Sequence, residues 1–236
     1  MTPVITWLTL IFFSFLPPLL YTLWIRNTER CHREQWAPIF LCFLWGATIA
    51  VIASFVFEYI LEIPLIYSLS NVELVPFIAT IVIAPVIEEL TKPLVLGLKP
   101  VKNHLDELED GLIYGAIAGL GFSATENLLY GFSFLQYEFL VFIFLMIIRS
   151  FGGCLLHASA TALTGYGYGK TVMKHSSFLG VIPYFILAIF VHGFYNFLLS
   201  YEFVGVLSGL GLAFLFVLIA ITTIRRKIKS LDEKTC

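Results

Sequence analysis

Charge is what this chain lacks. Of its 236 residues, 13% are Asp, Glu, Lys or Arg, where soluble domains carry about one quarter. The hydrophobic share is 59%, gathered in blocks of about 20, the length that crosses a bilayer. A soluble globular domain is excluded. The pattern predicts an all-α polytopic membrane helix bundle in one domain, residues 1–236, with the lipid bilayer as its solvent. The net charge of -2 leaves no electrostatic footprint for a nucleic acid, so none is expected as a partner. Cysteine is scarce: Cys31, Cys42, Cys154 and Cys236, with no C-x-x-C pair. That argues against a disulfide framework and a thiolate metal site. There is no H-E-x-x-H helix, no G-x-S-x-G elbow and no aspartate within an apolar block. The usual zinc-protease helix is therefore absent, and serine and aspartyl intramembrane mechanisms have no support. No basic segment precedes the first apolar run, which reads as a retained helix rather than a cleaved signal.

What is present is seven apolar blocks. They cover Val4–Ile25, with a bend expected at Pro17-Pro18, then Ile39–Ile60, Val75–Leu98, Gly111–Phe134, Phe139–Gly169, Phe178–Leu199 and Phe203–Ile224. The fifth is too long for one crossing and must be tilted, broken near Gly152-Gly153, or extended past the membrane. Lys and Arg fall in alternate connections. Arg26, Arg30 and Arg33 follow the first block, Lys99 and Lys102 the third, Lys170 and Lys174 the fifth, and Arg225, Arg226, Lys227, Lys229 and Lys234 the seventh. By the positive-inside rule the N-terminus is outside and the C-terminus cytoplasmic. The basic tail reads as a solvated end near anionic lipid. Asp106, Glu107, Glu109 and Asp110 precede the fourth block and suit a helix N-terminus. Gly111, Gly115 and Gly119, and again Gly205 and Gly209, sit four apart, a spacing that lets helices approach closely.

Inside this apolar chain stand a few ionisable groups. Glu88, Glu89 and Lys92 lie within the third block, Glu126 in the fourth, Arg149 and His157 in the fifth, and His192 in the sixth. At 1.5 Å per residue Glu88 is roughly 15 Å from the cytoplasmic end of its span, His157 roughly 18 Å, His192 roughly 21 Å and Glu126 roughly 22 Å. Four helices thus bring ionisable groups to one level, which predicts a single site facing the bundle interior. Lys92 is four residues from Glu88 and can neutralise one carboxylate while leaving the other free. Glu88 and Glu89 point about 100° apart, so they cannot share a role. His192 and Asn196, four apart, share a helix face. Taken singly, each polar residue is explained by a hydrogen bond between helices. A coincident set is not.

These residue types suit hydrolysis of a peptide bond by water, which needs a base, donors for an oxyanion and an acid for the leaving amine. A carboxylate held away from water serves as the base, and histidines or an asparagine as donors. The catalytic candidates are Glu88, Glu89, Glu126, His157, His192 and Asn196, with Glu88 as the preferred base. The same side chains could instead hold Zn²⁺ through Glu126, His157 and His192.

The motifs Glu88-Glu89-Leu90-Thr91-Lys92, Gly121-Phe122-Ser123-Ala124-Thr125-Glu126-Asn127, His157 with Thr161, and His192-Gly193-Phe194-Tyr195-Asn196 resemble, in order and spacing, those of the PrsW family of intramembrane proteases, relatives of the CAAX prenyl endopeptidases and Abi proteins. The resemblance covers about residues 84–196, within a motif-bearing core of about 75–199. It implies cleavage of transmembrane or membrane-anchored proteins, anti-sigma factors among them, by a site built from Glu88 or Glu89, Glu126, His157, His192 and Asn196. The CAAX relatives carry His where this chain has Glu126, so that role does not transfer directly. Two other function classes fit an intramembrane polar cluster: an ion-coupled transporter, which an absent inverted repeat disfavours, and a non-catalytic membrane scaffold, which the paired glutamates disfavour.

Overall fold

The large apolar side chains point outward. Phe40, Ile52, Phe144 and Phe190 are each more than half exposed, while Glu89, Lys92, Ser123, Asn127 and Thr161 are fully buried. An apolar exterior around a polar interior is stable in hydrocarbon, not in water. The computed structural model describes residues 3–69, 74–200 and 205–235. Its long helices are α1 (Pro3–Arg26), α2 (Trp36–Ser68), α3 (Leu74–Gly97), α4 (Leu108–Ser133), α5 (Phe139–Met173), α6 (Phe178–Ser200) and α7 (Val206–Thr235). A single turn at Lys99–Lys102 leads into α4. No strand occurs among the described residues. All these long helices except α4 have the length and apolarity to cross a membrane, six candidate spans in all. The chain is a multi-pass integral membrane protein.

Helix α4 is the exception because it lies in the middle. It packs against α1, α2, α5 and α7 and against the end of α3. Glu109 through Ala124 are buried without a break. A helix enclosed by other helices has no need of an apolar surface, so α4 can carry eleven Gly, Ala, Ser and Thr among its 26 residues. Its start is held by a capping box. Asp110 Oδ2 accepts from the Asp106 and Glu107 amides at 2.8 and 2.6 Å, as the acidic run predicted.

The four-residue glycine spacing on α4 does what small residues do in membranes. A Cβ on Gly115 would stand 2.6 Å from the Thr161 carbonyl oxygen of α5, and Cβ atoms on Gly111 and Gly119 would collide with the Gly165 and His157 carbonyl oxygens. On the α2 side, Gly121 meets the Phe43 backbone and Gly46 meets Ala118. The second glycine pair divides. Gly209 packs on Leu198 of α6, whereas Gly205 precedes α7 with φ +77°, a backbone conformation that glycine adopts without steric cost. Gly205 is therefore a turn residue and not part of a helix interface.

Other boundaries differ from expectation for identifiable reasons. Helix α1 continues through Pro17 and Pro18, so a bend there leaves the helix unbroken. Helix α5 is not broken at Gly152-Gly153 but widened there into a π turn, Arg149–Gly153, after which it runs on to Met173. Its 35 residues span about 52 Å at 1.5 Å each, well beyond the ~30 Å hydrocarbon core. The basic tail keeps Arg226, Lys227 and Lys229 exposed, but it is helical and its other face is packed. Val217, Ile221, Ile224, Ile228 and Leu231 are buried along α7, a 3-and-4 stripe that carries the helix through the basic residues. Phe203 lies outside the described residues. Cys31 is disulfide-bonded and Cys42 and Cys154 are free. The sequence reading expected no disulfide, because spacing along the chain carries no signal for cysteines that only the tertiary fold brings within reach.

Since the backbone of His157 rests on Gly119, bulk there should push α5 away from α4. Gly119→Leu should destabilise the purified protein by about 1–3 kcal/mol, the usual range for overpacking, read as a lower melting temperature in detergent. Ala at the exposed Gly211, where a Cβ would meet nothing within 4 Å, should leave it unchanged.

Candidate active site

The first motif is built by two departures from regular helix. A π turn at Ala79–Ile83 precedes Ala84–Thr91, and a 3-10 stretch, Lys92–Gly97, follows it. Positions three and four before Lys92 face the same side, so one ammonium reaches both carboxylates. Lys92 Nζ stands 2.9 Å from Glu88 Oε2 and 2.8 Å from Glu89 Oε1. The expectation that Lys92 would neutralise one glutamate and leave the other free is therefore corrected. The ammonium is completely buried, lies 4.5 Å over the Phe122 ring, and also contacts His157 Nδ1 at 2.9 Å.

The two glutamates nevertheless differ. Glu89 is fully enclosed. Besides Lys92, it accepts from Thr161 Oγ1 at 2.8 Å and pairs with His192 Nδ1 at 2.9 Å. Glu88 lines a cavity of about 400 Å³ together with Glu126, Arg149, His157, His192 and Asn196. His157 stands between two carboxylates, its Nε2 2.7 Å from Glu126 Oε2 and its Nδ1 3.6 Å from Glu88 Oε2. His192 Nε2 is 3.9 Å from the same Glu88 oxygen. The rings of His157 and His192 meet edge to face at 5.0 Å. Arg149 pairs with Glu126 at 2.8 Å, bonds Asn127 Oδ1 at 2.9 Å, and lies over Tyr130. Both intramembrane cations are thus paired with carboxylates, as the cost of a bare charge in hydrocarbon requires.

Five of the six residues singled out from the sequence meet in one network: Glu88, Glu89, Glu126, His157 and His192. Asn196 lines the same cavity but bonds elsewhere, its Nδ2 donating to the Thr80 carbonyl at 2.9 Å. The reason is Pro85. In the π turn, Ala84 N–H returns to the Ala79 carbonyl, five residues back. Pro85 has no N–H to return to Thr80, and Asn196 supplies that donor from α6. Alongside it Gly193 lets α6 approach, since a Cβ there would be 2.5 Å from the Ile81 carbonyl oxygen.

The family model described as PrsW family intramembrane metalloprotease matches residues 34–223. The chain belongs to the PrsW family. A curated relative, Protease PrsW of Clostridioides difficile (strain 630), is 32% identical over 127 residues, 53% of this chain and 52% of that protein. The match thus spans about half the length of that relative. No solved structure matches the chain.

The PrsW family description implies a metal, and three donors converge, with Lys92 Nζ already 2.9 Å from both His157 Nδ1 and Glu88 Oε2, so a metal there would have to displace the ammonium. Ligand atoms of Glu88, His157 and His192 lie within 4.8 Å of one another. Two imidazoles and a carboxylate make a zinc-type set, and each imidazole has a carboxylate on its other side, Glu89 for His192 and Glu126 for His157, as metal-binding histidines usually do. The set differs from the sequence grouping, in which Glu126 was the third donor. Glu126 is paired with Arg149 and with His157 Nε2, while Glu88 is the carboxylate with an oxygen grouped with both histidines.

Sequence reasoning missed the contribution of α2. Ser54, Glu58 and Glu62 line the cavity and repeat every four residues on one face. That spacing was the available signal, masked because Glu58 and Glu62 lie where the apolar block ends. Ser54 also ties α2 to the first motif, Oγ to Thr91 Oγ1 at 2.7 Å.

Lys92 is the sole cation on Glu88 and Glu89 that is itself fully buried. Removing one partner of a buried ion pair costs about 3–5 kcal/mol. Lys92→Met should therefore lower the melting temperature sharply or abolish recovery of folded protein from detergent. An unchanged melting curve would mean that Glu88 and Glu89 do not need its charge.

Proposed function

We propose that this chain is an intramembrane endopeptidase that hydrolyses a peptide bond of a transmembrane or membrane-anchored protein, in the cell membrane. The observation that carries the reading is the convergence of Glu88, Glu126, His157 and His192, from α3, α4, α5 and α6, on one cavity of about 400 Å³, within the usual range for ligand pockets of about 300–1,000 Å³. Phe55, Leu145, Ile148, Leu156 and Leu199 share its lining, so an apolar substrate segment finds apolar walls and a polar floor.

Glu88 is the base. It faces the cavity, whereas Glu89 is committed to Lys92, Thr161 and His192. Glu88 takes a proton from the attacking water. The protonated Glu88 then delivers that proton to the leaving amine and returns to carboxylate, while His157, with Lys92 donating to Nδ1 and Nε2–H held toward Glu126, stays neutral and fixes the position of Glu126. The second amide hydrogen of Asn196, the first being on Thr80, serves the oxyanion. Glu89 fixes the orientation of His192. In a metal-dependent reading, a zinc ion held by Glu88, His157 and His192 would polarise the scissile carbonyl and lower the pKa of water; Glu88 would then be a ligand and not the base, and Lys92 would have to leave His157 Nδ1 and Glu88 Oε2.

Removing a general base typically costs about 10²–10⁴ in rate and removing an oxyanion donor about 10²–10³. In a cleavage assay with a membrane-anchored reporter, Glu88→Gln should fold normally and cleave at a rate reduced by the first factor, and Asn196→Ala by the second. Wild-type cleavage by Glu88→Gln would end the base assignment, and an inactive Glu89→Gln alongside it would move the role one residue along.

For topology we infer seven crossings, α4 included, with the N-terminus outside and the tail cytoplasmic, from the alternation of Lys and Arg between connections. The disulfide at Cys31 opposes this orientation, because disulfides persist on oxidising faces. An epitope tag after Cys236 should be reached by antibody only once cells are permeabilised. Labelling of intact cells would invert the orientation.

A further inference from the structure

At the end of the bundle away from the cavity lies a second knot of acid. Glu29, in the connection between α1 and α2, Glu109, in the first turn of α4, and Asp232, near the end of α7, are 0%, 1% and 3% exposed. One carboxylate oxygen of each lies within 4.8 Å of the others. They come from three distant parts of the chain, so no local cap or turn accounts for their meeting.

Two of the carboxylates have clear backbone roles. Asp232 Oδ2 and Oδ1 accept from the Arg30 and Cys31 amides at 2.9 and 3.0 Å, which ties α7 to the first connection. Glu29 Oε2 accepts from the Glu34 amide at 2.9 Å. The other Glu29 oxygen, Oε1, is buried with no hydrogen-bond partner. Four nearby basic side chains hydrogen-bond or pair with other groups, though Arg26 is close enough to Glu29 to feel its charge. Arg26 Nε donates to the Glu34 carbonyl, Arg33 Nε to the Glu29 carbonyl, Arg225 Nε to Thr28 Oγ1, and His32 pairs with Glu107. A buried carboxylate oxygen with no hydrogen-bond donor is costly. Three convergent carboxylates supply the hard oxygen donors that Ca²⁺ and Mg²⁺ prefer, and no nitrogen or sulfur that would favour zinc.

We propose that Glu29, Glu109 and Asp232 form a binding site for a hard divalent cation of the Ca²⁺/Mg²⁺ class, which clamps the α1–α2 connection, the start of α4 and the end of α7 together. The site is separate from the cavity cluster and independent of whether that cluster cleaves peptides. Its enclosure by protein oxygens favours Ca²⁺, because Mg²⁺ usually keeps several of its waters.

The test uses the full chain in lipid nanodiscs, stripped with chelator, in wild-type, Glu88→Gln, Glu29→Gln and Asp232→Asn forms. Ca²⁺ and Mg²⁺ are titrated separately while thermal unfolding is followed. A cation that binds only the folded state raises the melting temperature with concentration, by about 5–10 °C at a hundredfold excess over Kd. Wild type and Glu88→Gln should show this saturable rise, with one ion bound per chain by calorimetry, and Glu29→Gln and Asp232→Asn should lose it. The proposal is overturned if wild type gives no concentration-dependent rise with either ion. It is also overturned if the rise survives in Glu29→Gln, or if it disappears in Glu88→Gln while persisting in Glu29→Gln, which would assign the ion to the cavity. Should Asp232→Asn fail to fold, the wild-type titration and Glu29→Gln, which keeps the Oε2 acceptor as an amide oxygen, still decide the matter.

Discussion

The polar interior depends on one buried ammonium. Lys92 contacts Glu88, Glu89 and His157 within 2.9 Å and is entirely shielded from solvent. Without a positive charge at that point, two adjacent carboxylates could not both stay ionised in a low-dielectric interior. With it, they are differentiated by what else they touch. Glu89 has its remaining acceptor sites taken by Thr161 and His192, which makes it part of the scaffold. Glu88 keeps an edge on the cavity. The second cation, Arg149, gives the same service to Glu126 one helix away. Net charge in the cluster is thus kept low, while unequal contacts assign the glutamates unequal tasks.

Holding four such groups within ångströms of one another demands close helix packing. Glycines on α4 answer this by letting the α5 backbone approach to van der Waals contact at Gly111, Gly115 and Gly119. Gly119 lies against the carbonyl of His157 itself, so the interface that packs the bundle also sets the depth of a site residue. This is why α4 looks unlike its neighbours. From Glu109 to Ala124 its composition answers to protein on every side and not to lipid, and its length, not its apolarity, marks it as one of the long helices.

Much of this was legible in the sequence. Block lengths found every long helix, and depth arithmetic put Glu88, Glu126, His157 and His192 at one level because rise per residue is nearly constant in a helix. What failed was what depends on partners. Depth says nothing of rotation, so it could not show that Glu126 pairs with Arg149 and His157 Nε2 while a Glu88 oxygen groups with both histidines. The end of α7 was read by its charges, although its apolar stripe continued beneath them. Glu58 and Glu62 went unread because acid at the edge of an apolar block has an ordinary meaning at the membrane surface.

Asn196 shows how a backbone defect becomes a positional constraint. Pro85 cannot donate to Thr80, and in hydrocarbon an unmet carbonyl costs several kcal/mol. The donor comes from another helix, 111 positions on from Pro85, at Asn196. Asn196 is one helical turn from His192 and on the same face. The bond that satisfies Thr80 therefore also docks that face of α6 on α3 and brings His192 to Glu89. A proline in the first motif and an asparagine in the last look unrelated in the sequence. They are two halves of one requirement, that irregular backbone in a membrane be satisfied by protein, and meeting it carries a histidine into the cavity.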